Sequence, residues 1–312
     1  MFEPSVLAEL IAAVRTRFLL PDGAEITLEA NPDPTLVGRL AGYRQAGVNR
    51  LSIGVQSFDS RELRTLGRRH TTQDVRETVA AARAAGFDNV SLDLIFGVPG
   101  QTDESWATSL DAAVALGVEH LSCYGLTIEQ GTPYATWFAR DPSVFADDTR
   151  EARLYEIAIE RLRAAGYEHY EISNWAKPSR RSQHNRLYWA NAAYLGLGVG
   201  AASYLDGVRS THTRDLDAYC EAALMGAPIP GESERLEGAQ RAGEAIMLAL
   251  RTAEGVDLDA FRERYAVDVL DRYHEVVDEL AAAGLLVVEP ACVRLTERGR
   301  FVANDVCAAF LV

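Results

Sequence analysis

Apolar and polar positions over the first 174 residues repeat one pattern four times. In each copy, apolar residues at helical spacing lead to a glycine, one large apolar residue follows, and an apolar strand begins about three residues later. The four glycine pairs are Gly47-Val48, Gly86-Phe87, Gly117-Val118 and Gly166-Tyr167. Because glycine tolerates the left-handed conformation that ends a helix, each copy predicts a helix, a turn and a strand.

Alternating helices and strands predict a parallel sheet with right-handed crossovers. A first helix is predicted over residues 4–19, with strands at about residues 25–30, 50–56, 89–96, 120–128 and 169–174. No glycine-rich phosphate loop follows the first strand, as a doubly wound dinucleotide fold would require. We therefore predict an α/β fold of the partial (β/α) barrel type.

Asp93 is the one charged residue in the third predicted strand. The strand is otherwise almost continuously apolar, which predicts burial on both of its faces. Because an ionised carboxylate in a dry strand is costly, Asp93 must be neutral, paired or in contact with a polar ligand. The sequence alone is compatible with either structural pairing or ligand contact.

Further polar residues lie near the ends of predicted strands, where parallel barrels bind their ligands. They are Glu29, Asn31, Gln56, Asp93, Tyr124, Thr127, Glu129, Glu171 and Asn174. A basic cluster at residues 68–70 either ends a solvated helix or brings Arg68 across this site to a carboxylate. Asp59 and Glu62 have the spacing of a helix capping box.

A polar, aromatic and basic segment follows residue 174. His184 and Tyr188 are four residues apart, so a helical turn would place them on one face. A lone histidine here is either a hydrogen-bonded structural residue or a ligand. The glycines of residues 196–200 are a weak dinucleotide signature and equally indicate a close approach of the backbone to another group.

The C-terminal part has a different pattern. Three helices are predicted there, over residues 240–252, 258–265 and 267–283. A small hairpin and a final helix follow them, and the whole arrangement resembles a winged helix. We therefore predict a partial barrel with the aromatic segment over residues 1–204, a connector with one short helix over 205–235, and a winged-helix-like α+β domain over 236–312. Since the third helix is mainly acidic, we expect this domain to pack or to bind a partner other than DNA.

The composition is that of a soluble globular protein, with 48% hydrophobic and 24% charged residues. A net charge of -14 argues against nucleic acid and anionic membranes as partners. No run reaches the ~18 apolar residues of a membrane span, and the N-terminus lacks a signal-peptide pattern, so we expect a cytoplasmic protein. Cys123, Cys220, Cys292 and Cys307 lack the spacing of zinc or iron–sulfur sites, which favours reduced, mostly buried thiols.

Six motifs occur in an order that resembles one protein family. They are residues 28–32, 53–58, 66–68, 93–101 and 170–174, followed by His184-Asn185-x-x-Tyr188-Trp189. Each motif is moderately specific, and the six in order are strongly so. Over almost its whole length, the chain resembles the radical S-adenosylmethionine proteins related to oxygen-independent coproporphyrinogen III oxidase, and among them the haem-chaperone branch.

The resemblance implies sites for two ligands and names no catalytic residue. By motif, S-adenosylmethionine would be bound by Glu29, Gln56, Arg68 and Asp93, with Thr127 as a further candidate. This set suits the ligand, because carboxylates and amides bind an amino acid and a ribose, and arginine binds a carboxylate. The His-Asn-x-x-Tyr-Trp segment marks the haem-chaperone branch. His184 would then ligate haem iron or anchor the porphyrin.

The family begins with a strand and a Cys-x3-Cys-x2-Cys loop that binds a [4Fe–4S] cluster, and this chain starts beyond that segment. None of its four cysteines can replace such a loop. We expect either a start codon assigned too far downstream, which we favour, or a genuine cluster-less remnant. A [4Fe–4S] cluster is therefore expected only if a preceding segment exists, and without its strand one sheet edge would be exposed.

Three functions follow from these expectations. The preferred one is a haem chaperone that binds haem through His184 and passes it to respiratory enzymes, with a homodimer as a compatible state. The alternative is an S-adenosylmethionine-dependent oxidoreductase that acts on a porphyrinogen, which would need the cysteine loop. The third is a cluster-less scaffold in which the site residues are vestigial.

Overall fold

The computed structural model describes residues 2–311 of the chain. The chain divides into two compact units, Met1–Ser182 and Gln183–Val312. This division lies earlier in the chain than the predicted boundary at residue 204, and the three-part division stays a prediction. Among residues 2–311, no helix has the length and apolar character needed to cross a bilayer.

The first unit combines one sheet with flanking helices. Its strands are β1 (Thr27–Ala30), β2 (Arg50–Gln56), β3 (Val90–Phe96), β4 (His120–Gly125), β5 (Glu168–Glu171) and β6 (Asn174–Ala176). Its helices are α1 (Pro4–Arg17), α2 (Pro34–Ala46), α3 (Ser60–Thr65), α4 (Thr72–Ala84), α5 (Asp103–Ala115), α6 (Pro133–Arg140) and α7 (Asp148–Ala164), with a 3-10 turn at Pro142–Val144.

The strand order of this sheet is β1-β2-β3-β4-β6-β5. Strands β1 to β4 pair in parallel, which confirms the predicted α/β arrangement. The prediction of a single fifth strand over residues 169–174 was wrong, because a turn at Ile172-Ser173 reverses the chain within that stretch. Strand β6 consequently pairs antiparallel with both β4 and β5, and the sheet is mixed.

The repeated glycine turn is confirmed at all four positions. Gly47, Gly86, Gly117 and Gly166 have φ values of 111°, 87°, 68° and 82°. These values lie in the left-handed region, where a side chain would be strained. The large apolar residue after each glycine is buried, so every turn anchors the chain in the core before the next strand begins.

The two faces of the sheet differ in chemistry. On one face, Ile53, Leu92, Leu121 and Trp175 are neighbours in register across β2, β3, β4 and β6, and none of them is exposed. The opposite face carries polar residues. The predicted burial of β3 on both faces is confirmed, since none of its residues is exposed, although Ser91 and Asp93 make one of these faces polar.

The second unit is built from short elements. Its strands are β7 (Ala202–Leu205), β8 (Val208–His212), β9 (Gly231–Arg235), β10 (Val256–Asp257), β11 (Leu286–Val288) and β12 (Cys292–Leu295). Its helices are α8 (Gln183–Trp189), α9 (Leu216–Met225), α10 (Gly238–Leu250), α11 (Leu258–Tyr265), α12 (Val269–Arg272), α13 (His274–Ala282), α14 (Glu297–Phe301) and α15 (Ala303–Ala308).

The strands of this unit form two small antiparallel sheets, β7-β8-β9 and β10-β12-β11. The helices and hairpin predicted after residue 236 are present, with the third helix interrupted at Tyr273. The predicted connector contains its expected helix, α9, and also β8 and β9. Strand β9 was missed because all five of its residues are exposed, so it lacks the alternation that predicts a strand.

Truncation of Leu92 tests whether the apolar face stabilises the first unit. Leu92 is fully buried, so we expect Leu92→Ala to lower the free energy of unfolding by about 2–5 kcal/mol. Leu19→Ala is the matched control, because Leu19 lies in the same unit and is 96% exposed. We expect that change to stay within about 0.5 kcal/mol. Urea unfolding followed by tryptophan fluorescence measures both, and equal losses would contradict the assignment.

Candidate functional site

Two rows of polar residues cross the sheet on the face opposite the Leu92 row. The first row, in register from β1 to β4, is Glu29, Ser52, Ser91 and His120. The second row, from β2 to β5, is Gly54, Asp93, Ser122, Asn174 and Glu171. Most of these side chains are buried, although they are polar. Since buried polar groups need partners, this face is the candidate site of the first unit.

Asp93 lies in the middle of the polar face. The hydroxyl of Ser52 donates to its two carboxylate oxygens, at 3.1 and 3.4 Å. Burial raises the pKa of the Asp93 carboxyl above its ordinary value, and the charge of Glu29 raises it further. Hydrogen bonds from Ser52 and Ser122 and the charge of Arg50 oppose this rise in pKa. The direct partners of Asp93 are thus neutral hydroxyls, and the proton affinity of its carboxylate is increased.

Gln56 ends β2 in a strained conformation, two residues after Gly54, which is the neighbour of Asp93 in register. Its φ is 69°, and the N–H of Ser57 donates to the carbonyl of Val55 at 2.9 Å, which makes a γ-turn centred on Gln56. A Cβ atom at Gly54 would lie 2.8 Å from Nε2 of Gln56 and 3.1 Å from Oδ1 of Asn31. The glycine therefore leaves space for two amide side chains on the polar face.

Arg68 joins this group through Asn31. Its Nη1 donates to Oδ1 of Asn31 at 2.8 Å. Of the two alternatives given for Arg68, contact with a carboxylate is not seen within residues 2–311, because its partner is this amide. A cleft of about 500 Å³ opens here, lined by Asn31, Pro32, Asp33, Pro34, Gly67, Arg68, Arg69, His70 and Asp74.

The structure thus brings four of the five predicted S-adenosylmethionine residues to one region. Glu29 and Asp93 interact through their charges, and Gln56 and Arg68 both approach Asn31. Thr127 is different, since it lies exposed beyond the end of β4. Among residues 2–311, no hydrogen bond links Thr127 to the others. Their role in binding a ligand stays a prediction.

A buried chain of hydrogen bonds that sequence reasoning missed lies in the first row of the polar face. Ser91 Oγ and Nδ1 of His120 are 2.8 Å apart, and Nε2 of His120 is 2.8 Å from the hydroxyl of Tyr170. Burial lowers the pKa of His120 well below its ordinary value, so the imidazole is neutral near pH 7. The alternating polar residues of β2, β3 and β4 were the available signal, as in His120-x-Ser122-x-Tyr124.

His184 begins the aromatic site of the second unit. It lies exposed on α8, and its ring is 4.7 Å from that of Tyr188 at 89°, as the predicted helical turn requires. The Tyr188 ring is in turn 4.6 Å from the ring of Tyr194, which is paired through its backbone with Tyr204. The site therefore consists of an imidazole and a row of tyrosine rings.

Residues 195–199 continue from this row and form an exposed aliphatic segment. Leu195, Leu197 and Val199 are 49%, 63% and 39% exposed. A Cβ atom at Gly196 would lie 2.1 Å from the carbonyl oxygen of Ala202, so only glycine allows this backbone approach. The N–H of Gly198 donates to the Tyr219 hydroxyl at 3.0 Å. The segment is thus held in place while its aliphatic side chains face solvent.

The four cysteines are separate free thiols. Cys123 and Cys307 are buried, and burial raises the pKa of Cys307 to about 11. Within residues 2–311, no group of three or more His, Cys, Asp or Glu side chains is placed to hold a metal ion. The described residues therefore do not fit a [4Fe–4S] cluster.

Comparison with known proteins relates both units to one family. The Radical SAM superfamily matches residues 3–113, and the HemN C-terminal domain matches residues 236–302. The solved structure of coproporphyrinogen III oxidase (HemN) from Escherichia coli, a radical SAM enzyme, has a TM-score of 0.83 at 22% identity. The match covers 99% of this chain and 74% of the HemN chain. At this identity the likeness shows the fold.

Two curated relatives are more similar in sequence. The haem chaperone HemW of Bacillus subtilis is 36% identical over 291 residues, which cover 93% of this chain and 76% of the relative. The haem chaperone HemW of Escherichia coli is 35% identical over 308 residues, which cover 97% of this chain and 79% of the relative. With identity and coverage at this level, the chain belongs to the HemW family within the radical SAM superfamily.

Proposed function

We propose that the protein is a haem chaperone that binds haem on its second unit and delivers it to haem-requiring respiratory proteins. One observation carries the proposal: the exposed His184 ring packs against Tyr188, and Tyr194 connects this pair to the exposed aliphatic segment. An imidazole can ligate haem iron, and aromatic and aliphatic side chains suit a porphyrin plane. The HemW relatives, named as haem chaperones, support the same function.

A cytoplasmic location and a homodimeric state remain expectations.

We propose further that the polar face of the first unit binds S-adenosylmethionine through Glu29, Gln56, Arg68 and Asp93. The arrangement supports this, because the Gln56 amide lies at Gly54, Arg68 donates to the neighbouring Asn31, and Asp93 lies within range of the Glu29 charge. Arg68 suits the carboxylate of the ligand's amino-acid part. When bound, S-adenosylmethionine would supply a sulfonium centre. Oxidation of a porphyrinogen is not proposed, since the likeness to HemN concerns the fold.

The stability cost of Asp93 supports a ligand role. A raised pKa means that the folded state binds a proton more tightly than the unfolded state does. Stability therefore falls as the pH rises from the unfolded pKa through the folded pKa, and it stays lower at neutral pH. A carboxylate that lowers stability at neutral pH is typical of a functional position.

Haem binding should depend on His184. We expect His184→Ala to weaken haemin binding by at least about tenfold, equivalent to about 1.4 kcal/mol, because the iron ligand is lost. Titration of the Soret band measures the affinity. His274→Ala is the matched control, since His274 is also exposed and lies in the same unit. The proposal would be contradicted by unchanged affinity in His184→Ala, or by an equal loss in His274→Ala.

Replacement of Asp93 by an uncharged isostere should stabilise the ligand-free protein at neutral pH. We expect Asp93→Asn to unfold at higher urea concentration than the wild type at about pH 8, with the difference shrinking as the pH falls toward the ordinary aspartate pKa of about 4. Asp22→Asn is the control, because Asp22 is exposed in the same unit and should change little. Urea unfolding at a series of pH values measures the difference. A constant difference across the series would show that burial of the charge is not the cause.

The same substitution should weaken the binding of S-adenosylmethionine. We expect at least about a tenfold loss of affinity in Asp93→Asn by equilibrium dialysis, because the carboxylate acceptor is lost. Haemin titration of the same variant should match the wild type, since His184 belongs to the other unit. Unchanged affinity for S-adenosylmethionine would remove Asp93 from the site. A folded wild type that binds neither ligand would instead favour the scaffold function.

A further inference from the structure

A buried carboxylate, Glu62, lies next to the strained turn at Gln56. Its Oε2 accepts hydrogen bonds from Ser57 Oγ at 2.6 Å and from Gln101 Nε2 at 3.0 Å. Its Oε1 accepts from Ser105 Oγ at 2.6 Å. Glu62 is only 4% exposed, and these three donors are uncharged. We refer to Glu62, Ser57, Gln101 and Ser105 as the Glu62 cluster.

The Glu62 cluster connects the loop after β2, the loop after β3 and the start of α5. Ser57 directly follows β2, and Ser105 lies in the first turn of α5. Gln101 reaches the end of β3, since its Oε1 accepts from the N–H of Gly97 at 2.8 Å and its Nε2 also donates to the carbonyl of Ile95 at 3.3 Å. The cluster therefore couples the loop after β2 to the loop after β3.

The conformation of Gln56 requires such a restraint. A residue other than glycine at a φ of 69° in a γ-turn is strained, and it persists only where the surroundings fix it. Ser57 is the next residue, it is fully buried, and its hydroxyl is bonded to Glu62. Its N–H closes the turn on Val55. Displacement of the Ser57 side chain would therefore displace the turn.

We propose that Glu62 is a positioning residue that holds Gln56 in its strained turn. The turn directs the Gln56 amide over Gly54, into the region proposed for S-adenosylmethionine, while Glu62 itself contacts no ligand. A carboxylate is needed because both of its oxygens accept hydrogen bonds. A glutamine at this position would turn an NH₂ group toward one of the donors. The identity of the ligand rests on the proposed function, whereas the restraint on the turn does not.

A double-mutant cycle on the ligand-free protein tests the restraint. Glycine adopts a positive φ without strain, so in the wild type Gln56→Gly removes the strain of the turn. In Glu62→Gln the turn is already released, and there is no strain to remove. Gln56→Gly should therefore change the urea midpoint more toward stability in the wild type than in the Glu62→Gln background. The entropy that glycine adds to the unfolded chain is common to both backgrounds and cancels. Ser57→Ala is a second, milder background in case Glu62→Gln does not fold. An equal shift in all backgrounds would overturn the proposal.

Ligand binding provides the second readout. We expect Glu62→Gln and Ser57→Ala to weaken S-adenosylmethionine binding by about tenfold in equilibrium dialysis, and to leave haemin binding unchanged. In a Gln56→Ala background, Glu62→Gln should cause no further loss of affinity, because the positioned amide is absent. Glu104→Gln is the control, since Glu104 is an exposed carboxylate on α5.

The two readouts separate the possible failures. A loss of stability in Glu62→Gln with wild-type affinity for S-adenosylmethionine would reduce Glu62 to a structural residue and overturn the positioning role. An additive loss of affinity in the double variant would do the same. If the folded wild type binds no S-adenosylmethionine, the proposed ligand is wrong, and the ligand-free cycle still decides whether Glu62 holds the turn.

Discussion

A carboxylate in the middle of a central strand needs polar surroundings, and the architecture of the first unit follows from that constraint. Asp93 is surrounded on its face of the sheet by hydroxyl, amide and charged side chains from five of the six strands. The other face of the same strands is apolar. Because side chains alternate along a strand, a shift of register by one residue would exchange the two faces. The burial of Leu92 therefore fixes the placement of Asp93.

The local turns make this register possible. Each helix ends at a left-handed glycine, and the buried residue that follows sets where the next strand begins. These signals lie within a few residues of one another, which is why the helices and the four parallel strands could be predicted from the sequence. The helical turn that pairs His184 with Tyr188 is local in the same sense.

Features that depend on distant contacts could not be predicted in this way. Glu62 has the spacing of a capping box with Asp59, but its carboxylate bonds to Gln101 and Ser105, which are 39 and 43 residues away. The partner of Arg68 is 37 residues away and is an amide, which no spacing rule indicates. The β5–β6 hairpin was missed because Ile172-Ser173 lacks the glycine or asparagine that usually predicts a tight turn.

Folded proteins usually expose charged groups and bury apolar ones, and each proposed site departs from one half of this rule. The first unit holds a carboxylate whose pKa is raised by burial, and the second leaves Leu195, Leu197 and Val199 exposed on a segment held by its glycines. Departures of this kind are concentrated at functional positions. Each also corresponds to the ligand proposed for it, since a polar, charged ligand would satisfy buried acceptors and a porphyrin would cover exposed aliphatic groups. The two units therefore differ in the class of ligand that their chemistry suits.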